Sequence, residues 1–322
     1  MRAIVCPAFG AALELRDVAS PPLSPGQVRI QVAAAGVNFA DTLFIAGKYQ
    51  EKVAPPLVPG MELAGTVVEL GADVVGLAVG DRVMAAVTGG AFAEQAVAEQ
   101  TDVIRLPDAL DFVTAAGFPV AYGTSHLGLK AKAGLKSGEV LVVHGAAGGV
   151  GLTAVEVGVA LGATVIATAG GPDKVRVALD HGAHHGIDYK TEDIRERVKE
   201  LTGGRGADVI YDPVGGDVFD ASLRAVAPDG RILVIGFASG AVPQIPANIL
   251  LVKNVTVIGY WWGAYRKLNP ALVRESLAEC VQWWADGRLH PHVSQTLPLE
   301  QAADALALLK SRAATGKVVL TV

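Results

Sequence analysis

Residues 139–151, E-V-L-V-V-H-G-A-A-G-G-V-G, carry the glycine spacing with the clearest chemical use in the chain. The apolar run Val140 to Val143 reads as a buried strand, Gly145 to Gly151 as a turn, and Val150 towards Gly162 as a helix. A glycine turn that opens a helix points unpaired N–H groups outward, and their partial positive charge suits a pyrophosphate. Against the spacing G-x-G-x-x-G the register falls on Ala146, Gly148 and Gly151, with alanine at the first glycine position. Gly148 is left for close backbone approach and Gly151 for tight helix–strand packing. The same spacing also occurs in βα turns that bind nothing, so the surrounding elements decide its meaning. No G-x-x-x-x-G-K-[ST] is present at residues 145–152, which leaves no support for a P-loop nucleotidase.

Those elements change character along the chain. Up to about Val120 the pattern is strands and turns: Val28, Ile30 and Val32 alternate with Gln27, Arg29 and Gln31, and further strands are expected at Leu63–Leu70, after Gly80-Asp81, and at Phe92–Val97. Between them, residues 36–49 hold a short helix that Asn38 or Asp41 is suited to cap. Beyond Val120, strand-like and helix-like runs alternate, from Val140–His144 through Thr164–Thr168, Gly186–Tyr189, Asp208–Asp212 and Arg231–Ile235 to Val255–Gly259. Such a rhythm implies a doubly wound parallel sheet, and it gives the glycine turn the strands of a full dinucleotide fold. The tail, with helices at Asn269–Asp286 and Leu299–Arg312 and a strand at Val318–Val322, lacks this rhythm. It is expected to rejoin the first domain, which then comprises residues 1–120 and 261–322 around a nucleotide domain of residues 121–260.

The nucleotide itself is readable at the second strand. An acid about 20 residues beyond the fingerprint binds the adenosine ribose in NAD sites. Here the strand ends in Thr168-Ala169-Gly170-Gly171, without one. Lys174 and Arg176 follow, and either would neutralise a 2′-phosphate. Arg176 also reads as a solvated helix-face charge, and Asp173 argues the other way. The balance favours NADP.

Composition bounds the remaining classes. With 322 residues, 51% hydrophobic, 18% charged and 38 glycines, the chain has apolar material for two domains. A net charge of −5 gives no basic stripe for nucleic acid or an anionic membrane surface. There is no apolar run of spanning length and no signal-peptide pattern, so a cytoplasmic protein is expected. Cys6 and Cys280 supply neither a disulfide framework nor a four-cysteine zinc site, and His184-His185 and His290-Pro291-His292 lack zincin spacing.

Several segments together resemble the medium-chain dehydrogenase/reductase superfamily, in its zinc-free quinone oxidoreductase (zeta-crystallin-like) branch. They are G-V-N-F-A-D-T near the start, P-G-M-E-L-A-G-T-V at 59–67, G-D-R-V at 80–83, H-G-A-A-G-G-V-G, and S-R-A-A-T-G-K-V-V-L at 311–320. Y-W-W-G-A-Y followed by G-R-L-H-P-H is similar to quinone oxidoreductase-like proteins. The resemblance covers essentially the whole chain. It implies an α/β protein with a GroES-like β-rich catalytic domain, a Rossmann domain, and NADPH in the cleft between them. Zinc-dependent members carry a cysteine where Val37-Asn38 stands and a lobe of four cysteines; both are missing, so no metal is expected.

Carried over by motif, Asn38, Asp41 and Tyr49 are the expected catalytic residues, with Asn38 also beside the nicotinamide ribose. Thr124 is expected by the nicotinamide or its phosphate, and Ala147, Gly148, Gly149 and Val150 on the pyrophosphate. Lys174 and Tyr189 would flank the 2′-phosphate. Gly236, Phe237 and Ala238, then Tyr260 and Trp261, would pass the nicotinamide, and Lys317 completes the cofactor set. Beside these roles stand plainer ones: Asp41 as a helix cap, Tyr49 as packing, Trp261-Trp262 at a subunit interface, Lys317 as an exposed lysine. The expected activity is NADPH-dependent, metal-independent reduction of quinones or other α,β-unsaturated carbonyls; the alternative is a non-catalytic NADPH-binding protein, crystallin-like or redox-sensing. Val255–Gly259, an apolar edge strand, points to a homodimer.

Overall fold

The period-two pattern at Val28, Ile30 and Val32 builds the central strand of a mainly antiparallel sheet. In the computed structural model, which describes residues 1–322, the chain opens with β1 (Arg2–Val5), β2 (Glu14–Asp17) and β3 (Gln27–Val37), then α1 (Phe39–Ile45). There follow β4 (Glu62–Leu70), β5 (Arg82–Ala86), β6 (Gln95–Glu99), β7 (Val103–Arg105), α2 (Phe112–Ala116) and α3 (Pro119–His126), which runs into a π-helical stretch at Leu127–Lys132. The expected strand at Phe92–Val97 thus begins three residues later, because Phe92 and Ala93 are taken up in a turn and an isolated bridge to Ala3.

The parallel-sheet rhythm then starts. It comprises β8 (Val140–His144), α4 (Gly149–Ala160), β9 (Thr164–Ala169), α5 (Pro172–Asp180), β10 (His185–Asp188), α6 (Ile194–Leu201), β11 (Ala207–Asp212), α7 (Asp217–Ala225), β12 (Val226–Val234), α8 (Ala247–Lys253) and β13 (Thr256–Gly259). The tail adds α9 (Trp262–Leu268), α10 (Pro270–Ala285), β14 (Val293–Pro298), α11 (Ala302–Lys310) and β15 (Lys317–Thr321). No helix is long and apolar enough to cross a membrane.

Two units result: Met1–Val120 with Leu268–Ala278 and Pro291–Val322, and Ala121–Lys267 with Glu279–His290. In the first, the sheet runs β14-β15-β3-β4-β5-β7, with β6 also on β3. Val28, Ile30 and Val32 face a core that includes Leu63, Val67, Phe92 and, from the tail, Leu306 and Leu320. In the second, all neighbours in the order β10-β9-β8-β11-β12-β13 are parallel. Leu141, Val142 and Val143 of β8 are fully buried, as a strand covered by helices on both faces requires.

Of the tail, residues 261–267 and 279–290 cluster with the parallel-sheet unit, and Leu268–Ala278 and Pro291–Val322 with the mixed-sheet unit. Trp262 accounts for part of this: its indole is buried against Gly123 of α3, so close that a Cβ at Gly123 would stand 2.8 Å from it. Trp283 likewise is buried, edge-on to His126 with ring centroids 4.9 Å apart, and under the Arg288 guanidinium.

Candidate functional site

In the parallel unit, the order reverses between β8 and β11, and ligands of such sheets bind outside the carboxyl ends of the strands at that reversal. The turn after β8 is built by Gly145, not by the residue that the motif register supplies. Gly145 has φ +58°, while Ala146 is ordinary buried backbone whose N–H donates to Thr168 O at 3.0 Å. Alanine is tolerated at the first fingerprint position because the left-handed turn lies one residue earlier.

The other two fingerprint glycines do different work. A Cβ on Gly151 would lie 2.1 Å from Gly145 O, so the turn and α4 touch through bare backbone. A Cβ on Gly148, the N-cap, would lie 3.3 Å from the same oxygen, a tight contact that a small backbone shift would relieve. The first turn of α4, beginning at Gly149 and Val150, leaves amides without helical acceptors, and Ala147 lies buried behind them. This is a cradle for an anion.

Hydroxyls hold the cradle from behind. Ser125 Oγ donates to Val150 O at 2.9 Å and lies 2.8 Å from Thr153 Oγ1 and 3.2 Å from the Tyr211 hydroxyl. Thr124, its neighbour on α3, is buried. Below the turn, His144 is buried between Thr168 Oγ1 and Ser222 Oγ, 2.9 and 2.8 Å away, and burial pushes its pKa down.

At the end of β9, Gly170 is covered by the Tyr189 hydroxyl, 2.6 Å from where a Cβ would be. Lys174 lies in the first turn of α5. The sequence missed two residues here. Asp188 Oδ1 accepts the N–H groups of Gly171 and Lys190 at 2.8 and 3.0 Å, which turns that carboxylate onto the backbone. Exposed Lys190 brings its ammonium 3.9 Å from the Cβ position of Gly171. Lys174, Lys190 and the Tyr189 hydroxyl suit a phosphate on the adenosine ribose, with exposed Asp173 in the same first turn of α5 as an opposing charge.

The loops after β11 and β12 are laced together. Asp212 Oδ1 accepts from Val214 and Gly215, and Ala238 N–H donates to Pro213 O at 3.0 Å. Phe237 lies against Gly215, and Gly236 N–H reaches Asp212 O. After β13, Tyr260 packs over Gly128 with its hydroxyl buried and without a partner. Trp261 folds over Gly263. Five of the expected cofactor segments lie beyond the carboxyl ends of strands of one sheet, after β8, β9, β10, β12 and β13, and Thr124 lies on α3. The neighbouring Trp262, weighed above as an interface residue, is core.

The catalytic candidates lie in the other unit. Asn38 is the N-cap of α1, and its N–H donates to Asp41 Oδ2 at 2.7 Å. Asp41 is wholly buried, and burial pushes its carboxyl up to about 7; the Lys317 ammonium opposes the shift and the Glu62 carboxylate adds to it. Asp41 Oδ2 caps the helix, the plainer role weighed for it, while Oδ1 is buried without a hydrogen-bond partner. Tyr49 is half-buried, its ring edge-on to Phe44 at 6.4 Å.

Lys317, weighed as an exposed lysine beside its cofactor role, is buried: its Nζ donates to Val37 O at 3.0 Å, to Asn38 Oδ1 at 2.7 Å and to Glu62 Oε1 at 2.7 Å, which uses all three donors. Glu62 is fully buried; it also accepts from Asn38 Nδ2 at 2.8 Å and from Val120 N–H at 2.8 Å. Sequence reasoning passed over Glu62, although a lone carboxylate in the apolar run M-E-L-A demanded a buried cation.

Comparison with known proteins agrees with both units. Residues 24–108 match the family model described as alcohol dehydrogenase GroES-like domain, and residues 149–279 that described as zinc-binding dehydrogenase. No three His, Cys, Asp or Glu side chains converge as metal ligands would. A quinone oxidoreductase-like protein 2 homolog of Nematostella vectensis is 42% identical, over 99% of this chain and 88% of its own. A quinone oxidoreductase structure from Pseudomonas syringae superposes with a TM-score of 0.94 at 34% identity, over 100% of this chain and 99% of that one. The Escherichia coli quinone oxidoreductase complexed with NADPH gives 0.94 at 31% identity, over 100% of both.

Proposed function

The chain belongs to the quinone oxidoreductase family of the medium-chain dehydrogenases/reductases, and on that premise we propose that it is a cytoplasmic NADPH-dependent reductase of quinones or other α,β-unsaturated carbonyls. The observation that carries the cofactor is the cradle of Gly148 and the first turn of α4, with Tyr189, Lys174 and Lys190 at the adenosine corner. Those residues would hold the pyrophosphate and the 2′-phosphate; the loops from Gly236 to Ala238 and Tyr260 to Trp261 would flank the nicotinamide. When bound, NADPH supplies a hydride, two electrons with one proton, to the acceptor and leaves as NADP⁺, and water supplies the second proton.

The chain's part is alignment and charge stabilisation. Negative charge grows on the carbonyl oxygen as hydride arrives at the acceptor, and an N–H or O–H donor held in place there lowers the barrier. Asn38 and Tyr49 are the proposed donors. Asp41 and Lys317 act on the chemistry only through Asn38. No metal is required by this scheme.

We propose further that the enzyme is a homodimer. The strand β13 pairs with β12 on one side only, and α8 beside it in the chain exposes Leu251 and Val252, each 79% accessible. A second copy pairing along β13 would cover both features.

Steady-state oxidation of NADPH against a panel of quinones and enones tests the activity. Turnover with at least one class is expected. Saturable NADPH binding without turnover on any acceptor would return the chain to the non-catalytic, cofactor-binding reading.

A further inference from the structure

Asn38 is 94% buried, and both of its amide groups face an ion of fixed hydrogen-bonding type. Lysine ammonium donates only; carboxylate accepts only. The ammonium of Lys317 meets Oδ1 at 2.7 Å and the carboxylate of Glu62 meets Nδ2 at 2.8 Å, while the two ions meet each other at 2.7 Å. Turning the amide over would set NH2 against the ammonium and C=O against the carboxylate, two repulsive contacts in a site without water-like screening. The orientation is therefore forced by chemistry. Anchors at Val37 O and Val120 N–H keep the ions from following the amide if it rotates.

We infer that Lys317 and Glu62 are positioning residues that lock the Asn38 amide so that its one remaining Nδ2–H is offered, as donor only, to the carbonyl oxygen of the substrate. The inference rests on the reductase reading given above. The lock prevents Asn38 from presenting its oxygen to a substrate carbonyl, which would repel the charge that hydride transfer creates. Lys317 also polarises the amide through Oδ1, which strengthens the N–H as a donor. Lys317 and Glu62 touch neither substrate nor cofactor in this scheme.

The test is the paired variant Lys317→Met with Glu62→Gln, which removes both charges together and so avoids an unpaired buried ion. Lys317→Arg serves as the conservative partner. Three readouts are taken: NADPH affinity by nucleotide fluorescence, kcat and KM with one quinone and one enone, and the side-chain amide resonances of Asn38 by NMR, assigned through Asn38→Asp. The expected result is a kcat lower by about 100-fold, an NADPH affinity changed less than about 3-fold, and displaced Asn38 amide resonances. Lys317→Arg should restore most of the kcat.

Unchanged kcat in a folded paired variant overturns the inference. So does a loss confined to NADPH affinity, since Asn38 would then serve the cofactor ribose. If the wild-type chain turns over no acceptor, the reductase reading fails by itself; the NMR arm still decides whether the ion pair holds the amide.

Discussion

Burial keeps the Asp41 carboxyl protonated through a range in which an exposed aspartate is ionised, its pKa moving from 3.8 to about 7. The folded state then binds more protons than the unfolded chain between those values. Stability from this group is fully present below about pH 4 and is lost as pH rises through 7. Asp41→Asn keeps an acceptor for the Asn38 N–H and removes the titration. Denaturant melts at pH 5 and pH 8 should therefore shift in favour of the variant at the higher pH; parallel pH profiles would refute the assignment. The glycines separate binding from folding in the same way. Gly148→Ala should lower the melting temperature much less than Gly151→Ala and weaken NADPH at least 10-fold, because its Cβ would meet Gly145 O at 3.3 Å whereas that of Gly151 would stand at 2.1 Å. Lys317→Met alone strands Glu62 and should cost about 3–5 kcal/mol in denaturant unfolding. The tight packing at Gly151 was legible in the motif. The Lys317–Glu62 pair was not, since 255 residues separate its members and neither belongs to a spacing rule.

The elements were legible where periodicity was strong. Each expected strand from Val140 to Gly259 is present, and the buried central ones, β8, β9 and β11, were the most legible because a covered parallel strand is a largely apolar run. What the pattern concealed is polar chemistry inside those elements. Helix α4 is buried on nearly all sides, yet it contains Glu156, which is 3% exposed. Tyr122 O–H donates to Glu156, His181 Nδ1 lies 2.6 Å from it, and His290 N–H reaches it at 3.3 Å. Burial and the adjacent carboxylate push the Tyr122 hydroxyl well above its ordinary pKa. Three partners from α3, the end of α5 and the segment after α10 thus converge on the helix whose first turn forms the cradle. Glu156→Leu should lose roughly 3 kcal/mol, more than Glu156→Gln, which keeps an acceptor for Tyr122. Equal losses in chemical denaturation would mean that packing, and not the hydrogen bonds, anchors α4.

At the scale of the molecule, two sheets of different kinds divide the labour: the mixed sheet holds Asn38 on a locked cap, and the parallel sheet presents its strand ends to a dinucleotide. The change of rhythm near Val120 coincides with the division between the two units. The helices of the tail carry no mark of which unit they cluster with until Trp262 and Trp283 find their neighbours. Light scattering at micromolar concentration should give twice the chain mass, and Ile258→Lys on β13 should lower it to that of one chain; a monomeric wild type would exclude pairing along this edge. The central claim, however, is the reaction. Its most direct test is the rate of NADPH oxidation by the purified protein with a simple quinone and with an enone, alongside NADH at the same concentration. Turnover that depends on the acceptor and prefers NADPH is predicted. No acceptor-dependent oxidation, under conditions where NADPH binds saturably, would contradict it.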